Sequence, residues 1–277
     1  MVSARLRGIA VENESFIDAG GYRGPGEGWV DLAEQVAAAE AGSRMFGPEP
    51  VSLVSSPSGA TTIEVTGESS MAAAARLVGA GTEPVAVLNF ASARKPGGGY
   101  LNGAQAQEEA LCRSSALYRT LLTARSEYYD HHRHDPSPFY TDRVIHSPAV
   151  PVFRDDRGTL LDTPYTVGFL TAAAPNAGVI LRDRPDEADR IPEAFASRAE
   201  RVLETAASQQ YSRLVLGAWG CGVFRNDPAM VAEAFRGLLA GRFAGRFGHV
   251  SFAVLDRTPA ASTLGAFRRT FERDRPR

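Results

Sequence analysis

Cysteine is scarce in this 277-residue chain: there are two, Cys112 and Cys221, and no C-x-x-C pair. That excludes a disulfide framework and a thiolate zinc site. No apolar run reaches the length of a membrane span, and the opening MVSARLRGIAVENE lacks the apolar stretch of a secretory signal. A cytoplasmic protein with no membrane partner is therefore expected. Positive charge is not in excess either. Thirty Lys and Arg against 32 Asp and Glu leave a net charge of −2, so no bulk basic field advertises DNA. A polyanionic ligand would have to be held locally, by backbone amides and helix ends. Internal repeats, low-complexity tracts and obvious linkers are also missing. The remaining composition, 44% hydrophobic and 22% charged, is that of an ordinary globular protein.

The pattern along the chain alternates strands and helices. Residues 1 to about 45 read as an amphipathic, helical lead-in, with a helix around Leu32, Ala33 and Val36 after the Gly/Pro-rich GGYRGPGEGW. Short β-like runs follow at Val51–Val54 and Thr61–Thr66 around the turn SSPSG. Ser69-Ser70 caps an alanine-rich helix over Met71–Val78. Val85–Leu88 reads as a buried strand. Further strands are expected at Val144–Phe153 with a proline bend, at Tyr165–Thr171, at Leu214–Leu216 and at Val250–Leu255. Helices are expected over Ile191–Ala207, from Pro228 with Val231, Phe235, Leu238 and Leu239 inward, and over Thr263–Phe271. Such alternation argues for a largely parallel sheet covered on both faces.

One stretch organises the rest: NFASARKPGGGYLNGAQAQEEALCRSSALY, Asn89 to Tyr118. A strand runs into Gly97-Gly98-Gly99 and then into a long helix with Leu111, Leu117, Tyr118, Leu121 and Leu122 on its apolar face, headed by Gln107, Glu108 and Glu109. Glycines let a backbone approach a ligand closely, and a helix N-terminus offers free N–H groups to an anion. Acids in a first turn can simply favour the macrodipole, but that does not account for three glycines leading into Gln-Glu-Glu. Adjacent residues point about 100° apart on a helix, so the two carboxylates cannot be equivalent catalysts.

GGG followed by QEE resembles the signature of poly(ADP-ribose) glycohydrolases, and NFASARKPGGGYLNGAQAQEE is similar to their compact bacterial-type branch. A second loop, GAWGCGVFRNDP from Gly217 to Pro228, is similar to the diphosphate loop of macrodomains. The resemblance implies an α/β fold: a three-layer α/β/α macrodomain-like core with a mixed, largely parallel sheet, spanning 51–277, and an N-terminal helical extension over 1–50. In open α/β sheets ligands bind beyond the carboxyl ends of the strands, so the two loops are expected to face one cleft. Lys95 departs from the branch, where Asn is commoner before the proline; a lysine there could contact a neighbouring phosphate.

The resemblance also implies a substrate, poly(ADP-ribose), cleaved at ribose–ribose O-glycosidic bonds from the chain end. Such a reaction needs a proton for the leaving oxygen, support for an oxocarbenium-like transition state and an activated water. The family pattern gives the proton work to Glu109 and the holding of ribose hydroxyls to Glu108, with the substrate diphosphate assisting. A helix N-terminus favours a carboxylate, while a general acid must hold a proton; bound substrate is expected to decide that contest. Gly97, Gly98, Gly99 and Gln107 are the expected contacts of the first loop, and Asn89 either binds a ribose or caps its strand. In the second loop Gly220, Cys221 and Gly222 are expected to present amides to the diphosphate, Val223 to line the binding site beside them, and Phe224 to stack on ribose or adenine. Cys221 reads as a small filler, because no His partner lies near to make it a nucleophile, and Cys112 as core. His146 and His249 read as structural. Asp130-His131-His132-Arg133-His134-Asp135 carries metal-ligand types, yet it ends in Pro-Ser-Pro and reads as a solvated loop. No cofactor is expected; the partners are poly(ADP-ribose), ADP-ribose and poly(ADP-ribosyl)ated proteins, for a monomer. Two other readings use the same cleft: an ADP-ribose reader without catalysis, which has no need of the acid pair, and a hydrolase of another ADP-ribose derivative.

Overall fold

A computed structural model describes residues 3–53 and 59–272. Helix α1 (Ala4–Asp18) is capped by Ser3, whose hydroxyl accepts from the Leu6 N–H. A small hairpin follows, β1 (Gly21–Arg23) with β2 (Trp29–Asp31), then α2 (Ala33–Gly42) and β3 (Arg44–Phe46). After β4 (Thr62–Thr66) come α3 (Ser70–Gly79) and β5 (Val85–Phe90). The segment beyond the glycines forms α4 (Gln107–Ser114), α5 (Leu117–Thr123), a π-helical turn at Arg125–Asp130 and α6 (His131–His134). The remainder is β6 (Val144–Arg154), β7 (Leu160–Ala172), α7 (Ala177–Asp183), α8 (Ile191–Ser208), β8 (Arg213–Leu216), α9 (Pro228–Ala240), β9 (His249–Ala253) and α10 (Ser262–Phe271).

Seven strands form one mixed sheet in the order β3-β6-β7-β5-β8-β9-β4. The pairs β7–β5, β5–β8, β8–β9 and β9–β4 are parallel, and β3 and β6 close one side antiparallel. Side chains alternate across a strand. Val85 and Val87 therefore join Val215 in a core shared with α1, α2, α3 and α5, while Ala86 and Leu88 join Leu214 and Leu216 in a core under α8, α9 and α10. Each fully buried Val or Leu of these layers contributes roughly 1.5–3 kcal/mol. The chain leaves β5 to build β6 and β7 on one side and β8 and β9 on the other, so a crevice opens beyond its carboxyl end, where ligands bind in open α/β sheets. No helix among the described residues is long and apolar enough to cross a membrane.

Three expectations need correction. Residues 51–53 pair with no strand (Val54 and most of the SSPSG turn lie outside the described residues); the Val51 N–H donates instead to Glu204 Oε2 of α8 at 3.0 Å. The long helix is broken at Ser115, which adopts an extended conformation and bridges to Val152. Its hydroxyl donates to Leu111 O (2.8 Å) and accepts from the Leu117 N–H (3.2 Å), ending one helix and starting the next; serine competes with the backbone in this way. The histidine run is helical rather than a solvated loop: His132 is fully buried, its Nε2 2.8 Å from Thr141 Oγ1. Elements the pattern did not disclose are the hairpin, the edge strand β3 and α7, the last capped by Asn176, whose side chain accepts from the Val179 N–H at 3.2 Å.

Candidate active site

The first glycine loop is built to bring two carboxyl groups to the end of β5. The Phe90 N–H donates to Gln107 Oε1 (2.9 Å), and Gln107 Nε2 donates to Leu88 O (2.8 Å) and Ser70 Oγ (3.1 Å). Gln107 thus ties the head of α4 to the strand and to α3. Gly97 and Gly98 lie at φ +64° and +57°, a region that disfavours side chains. A Cβ on Gly98 would lie 2.5 Å from Glu109 Oε1 and 3.0 Å from Glu108 Oε2, so only a bare backbone fits against both acids. Loop amides turn inward: the Gly98 N–H donates to Lys95 O (3.0 Å) and the Gly99 N–H to Glu109 Oε1 (2.8 Å).

The acids differ in setting. Glu109, 7% exposed, also accepts the Ala106 N–H on Oε2 at 3.0 Å, the return half of a capping box. Glu108, 3% exposed, accepts the Ser92 N–H at 2.7 Å and Asn89 Nδ2 at 3.4 Å. Burial pushes the Glu108 carboxyl up to about 8, against the lowering pull of the Ser92 N–H; the charge of Glu109 adds to the rise. Asn89 is fully buried and also donates to Thr171 Oγ1 (3.1 Å) across the β5–β7 pair. Its place is behind the acids.

Across the crevice, the second loop leaves β8. The Trp219 indole is fully buried and donates to Ala172 O (3.1 Å). Gly220, at φ +73°, leaves no room for a Cβ, which would fall 2.5 Å from Asn226 Nδ2 and 2.7 Å from Ala174 Cβ. Buried Asn226 donates to Pro175 O (2.8 Å) and Gly220 O (3.2 Å), and its own N–H donates to Gly220 O (3.0 Å). The Cys221 N–H is used within the loop, on Ala218 O (3.1 Å). The N–H groups of Gly220, Gly222, Val223 and Phe224 have no acceptor among the described residues. Burial, then the charge of Asp227, pushes the Cys221 thiol up to about 12, which keeps it from being a thiolate nucleophile. Val223 is 83% exposed, and the Phe224 ring lies 5.9 Å from Tyr140.

Both loops line a single cleft of about 1300 Å³. Gly98, Gly99, Gln107, Glu108, Glu109 and residues 220–224 are on its wall, while Gly97 and Asn89 stand behind it. Lys95 is exposed at the rim. Residues not singled out from sequence complete the wall: Ser92, Tyr140, Arg94, whose guanidinium lies 5.9 Å from the Tyr140 ring centroid, and Asp256 after β9; Arg257, in the segment after the last strand that the sequence offered as a cap on the cleft, lines it too. Arg94 donates to His132 O (3.2 Å), which is how the histidine run reaches the site. Asn226 was discoverable, standing one residue before the Asp227 cap of α9; Tyr140, at φ +57°, left no pattern.

The family model for the microbial-type PARG catalytic domain matches residues 10–155. None of the curated proteins matches the chain. Among solved structures, poly(ADP-ribose) glycohydrolase from Thermomonospora curvata is 47% identical, with a TM-score of 0.92 over 97% of this chain and 100% of that one. The same enzyme bound to the inhibitor ADP-HPD is 46% identical, with a TM-score of 0.89 over 96% and 99%. Poly(ADP-ribose) glycohydrolase from Deinococcus radiodurans in complex with ADP-ribose is 49% identical, with a TM-score of 0.80 over 88% and 99%. The chain belongs to the microbial-type poly(ADP-ribose) glycohydrolase family.

Proposed function

We propose that the chain hydrolyses the ribose–ribose O-glycosidic bonds of poly(ADP-ribose), with Glu109 as general acid and base and with release of ADP-ribose from the chain end. Glycoside hydrolase activity on poly(ADP-ribose) is the activity of its family. The observation that carries the residue roles is the pairing of two carboxyl groups against the bare backbone of Gly98, opposite a loop with four amide donors unused among the described residues.

Glu109, the more exposed acid, delivers its proton to the leaving ribose oxygen as the glycosidic bond breaks. It then accepts a proton from the water whose oxygen joins the anomeric carbon, which restores the acid. Its two N–H partners, Gly99 and Ala106, hold the carboxyl in place through both steps. Glu108, protonated over much of the neutral range, exchanges hydrogen bonds with ribose hydroxyls. The free amides of Gly220, Gly222, Val223 and Phe224 take the diphosphate, as nests of backbone N–H groups take anions, and Phe224 stacks on the nucleoside. Chain-end cleavage is supported by Arg257, which lines the cleft after β9. The same reading treats residues 1–50 as an extension of the 51–277 catalytic domain and places a monomer in the cytoplasm, acting on poly(ADP-ribosyl)ated proteins.

ADP-ribose release from purified poly(ADP-ribose), wild type beside Glu109→Gln, tests this. Release by wild type with a loss on the order of 10²–10⁴-fold in the variant is expected. Tight ADP-ribose binding with no release from either protein would leave a reader, not an enzyme.

A further inference from the structure

The cleft does not end at Glu109. It continues as an arm between the first turn of α1, the loop before α4 and the turn joining β6 to β7, with Arg5, Arg113 and Arg157 on its walls. The fold places these residues. Arg5 Nη2 donates to Arg157 O at 3.2 Å, tying the start of α1 to the turn. Gly158, at φ +86°, lets that turn lie so close that a Cβ would sit 3.3 Å from Ile9 Cδ1 and 3.9 Å from Arg5 Nη2. Arg113 follows Glu109 by four residues, hence on the same face of α4, and its Nη1 donates to Ala104 O at 2.7 Å.

The arginines of this arm are not engaged in ion pairs. None of the three guanidinium groups forms an ion pair with a carboxylate within 4 Å among the described residues, although Arg113 feels the charge of Glu109, whereas Arg119 of α5 engages both Glu14 and Asp18 on the other face of α1. The two aspartates on the arm's walls keep their charge but pair with none of the three guanidinium groups. Asp155 Oδ1 accepts the Arg157 N–H (2.9 Å) and the Thr159 N–H (2.8 Å), and Asp156 accepts the Ser69 hydroxyl. Arginines without ion-pair partners converging in a concavity suit a phosphate, which a guanidinium fork can bind through two parallel hydrogen bonds.

The polymer supplies such a group at this place. With the terminal unit in the main cleft and its glycosidic bond at Glu109, the leaving oxygen belongs to an adenosine ribose whose 5′ oxygen bears the next diphosphate. We propose that the arm is a second anion subsite that holds this diphosphate on the leaving side of the scissile bond, with Arg5 and Arg157 as its donors and Arg113 shaping its floor. The inference rests on the glycohydrolase reading and adds substrate recognition by the N-terminal helix.

The test uses a two-unit ADP-ribose oligomer and free ADP-ribose, with affinities for both measured on Glu109→Gln so that neither is consumed. The dimer should bind about tenfold more tightly than the monomer, each charge-assisted contact contributing a few-fold or more. Arg5→Ala combined with Arg157→Ala, both at exposed positions that tolerate truncation, should bring the ratio to about one. Equal affinities in the parent, or a dimer preference that survives the double substitution, would overturn the subsite. Cleavage of the dimer by wild type is read separately: binding preference without cleavage sinks the hydrolase assignment and leaves the subsite standing.

Discussion

Two glycine loops leave neighbouring parallel strands, β5 and β8, and line the same cleft, yet they are held by opposite means. In the first, the loop's donors are spent on carboxyl groups: Gly99 and Ala106 on Glu109, Ser92 on Glu108. In the second, carbonyls are held by a neutral amide, Asn226, and four N–H groups find no acceptor among the described residues. A loop whose amides are taken by its own acids positions chemistry; a loop with unused amides receives an anion. Glycine serves both, in the first to let acids approach the backbone and in the second to leave the backbone bare.

The comparison can be broken at several points. Gly98→Ala has the largest expected effect short of removing an acid, because its Cβ meets both carboxyl groups. A displacement of this size costs about 10²-fold in rate, and the left-handed backbone adds about 1–2 kcal/mol of strain; kcat on poly(ADP-ribose) and thermal unfolding read the two. Glu108→Gln is read through stability against pH. The folded Glu108 carboxyl titrates near 8 and the unfolded one near 4.5. Folded protein therefore binds the extra proton between those values, and wild type loses stability as pH rises through that window. The loss is on the order of 3–5 kcal/mol, and Glu108→Gln should flatten it; parallel unfolding curves for the two proteins at pH 5 and pH 9 would contradict the burial account. Asn226→Ala removes the side-chain donor shared by Pro175 O and Gly220 O, which keep only the backbone N–H groups of Ala177 and Asn226. It should cost about 1–3 kcal/mol of stability and weaken ADP-ribose binding about tenfold, visible by calorimetry, with kcat on saturating polymer little changed. Gly222→Ala is the mild control: its Cβ meets nothing within 4 Å, so unfolding should shift by less than about 0.5 kcal/mol.

The acid-bearing loop was legible because spacing carries it: three glycines and Gln-Glu-Glu must stand in fixed order for Gly98 to meet both carboxyl groups. Most strands were legible from their apolar runs, as at Val85–Leu88 and Leu214–Leu216. The break at Ser115 was not, because it depends on a bridge to Val152, distant in sequence. Nor was the unpaired state of residues 51–53, decided by a side chain of α8. In the second loop the sequence pointed to Gly-Cys-Gly, but which amides remain free follows from the turn that uses the Cys221 N–H internally. The arginines of the outer arm carry no local signature at all; only the packing of α1 against the β6–β7 turn brings Arg5 and Arg157 together.

Single-turnover release of ADP-ribose and the Kd for free ADP-ribose, measured on Glu109→Gln beside Gly220→Ala, test the division of labour most directly. The account predicts a crossed result: Glu109→Gln keeps its affinity and loses the rate, while Gly220→Ala loses affinity and keeps the rate at saturation. Loss of both quantities in both proteins, or an undiminished rate in Glu109→Gln, would contradict it.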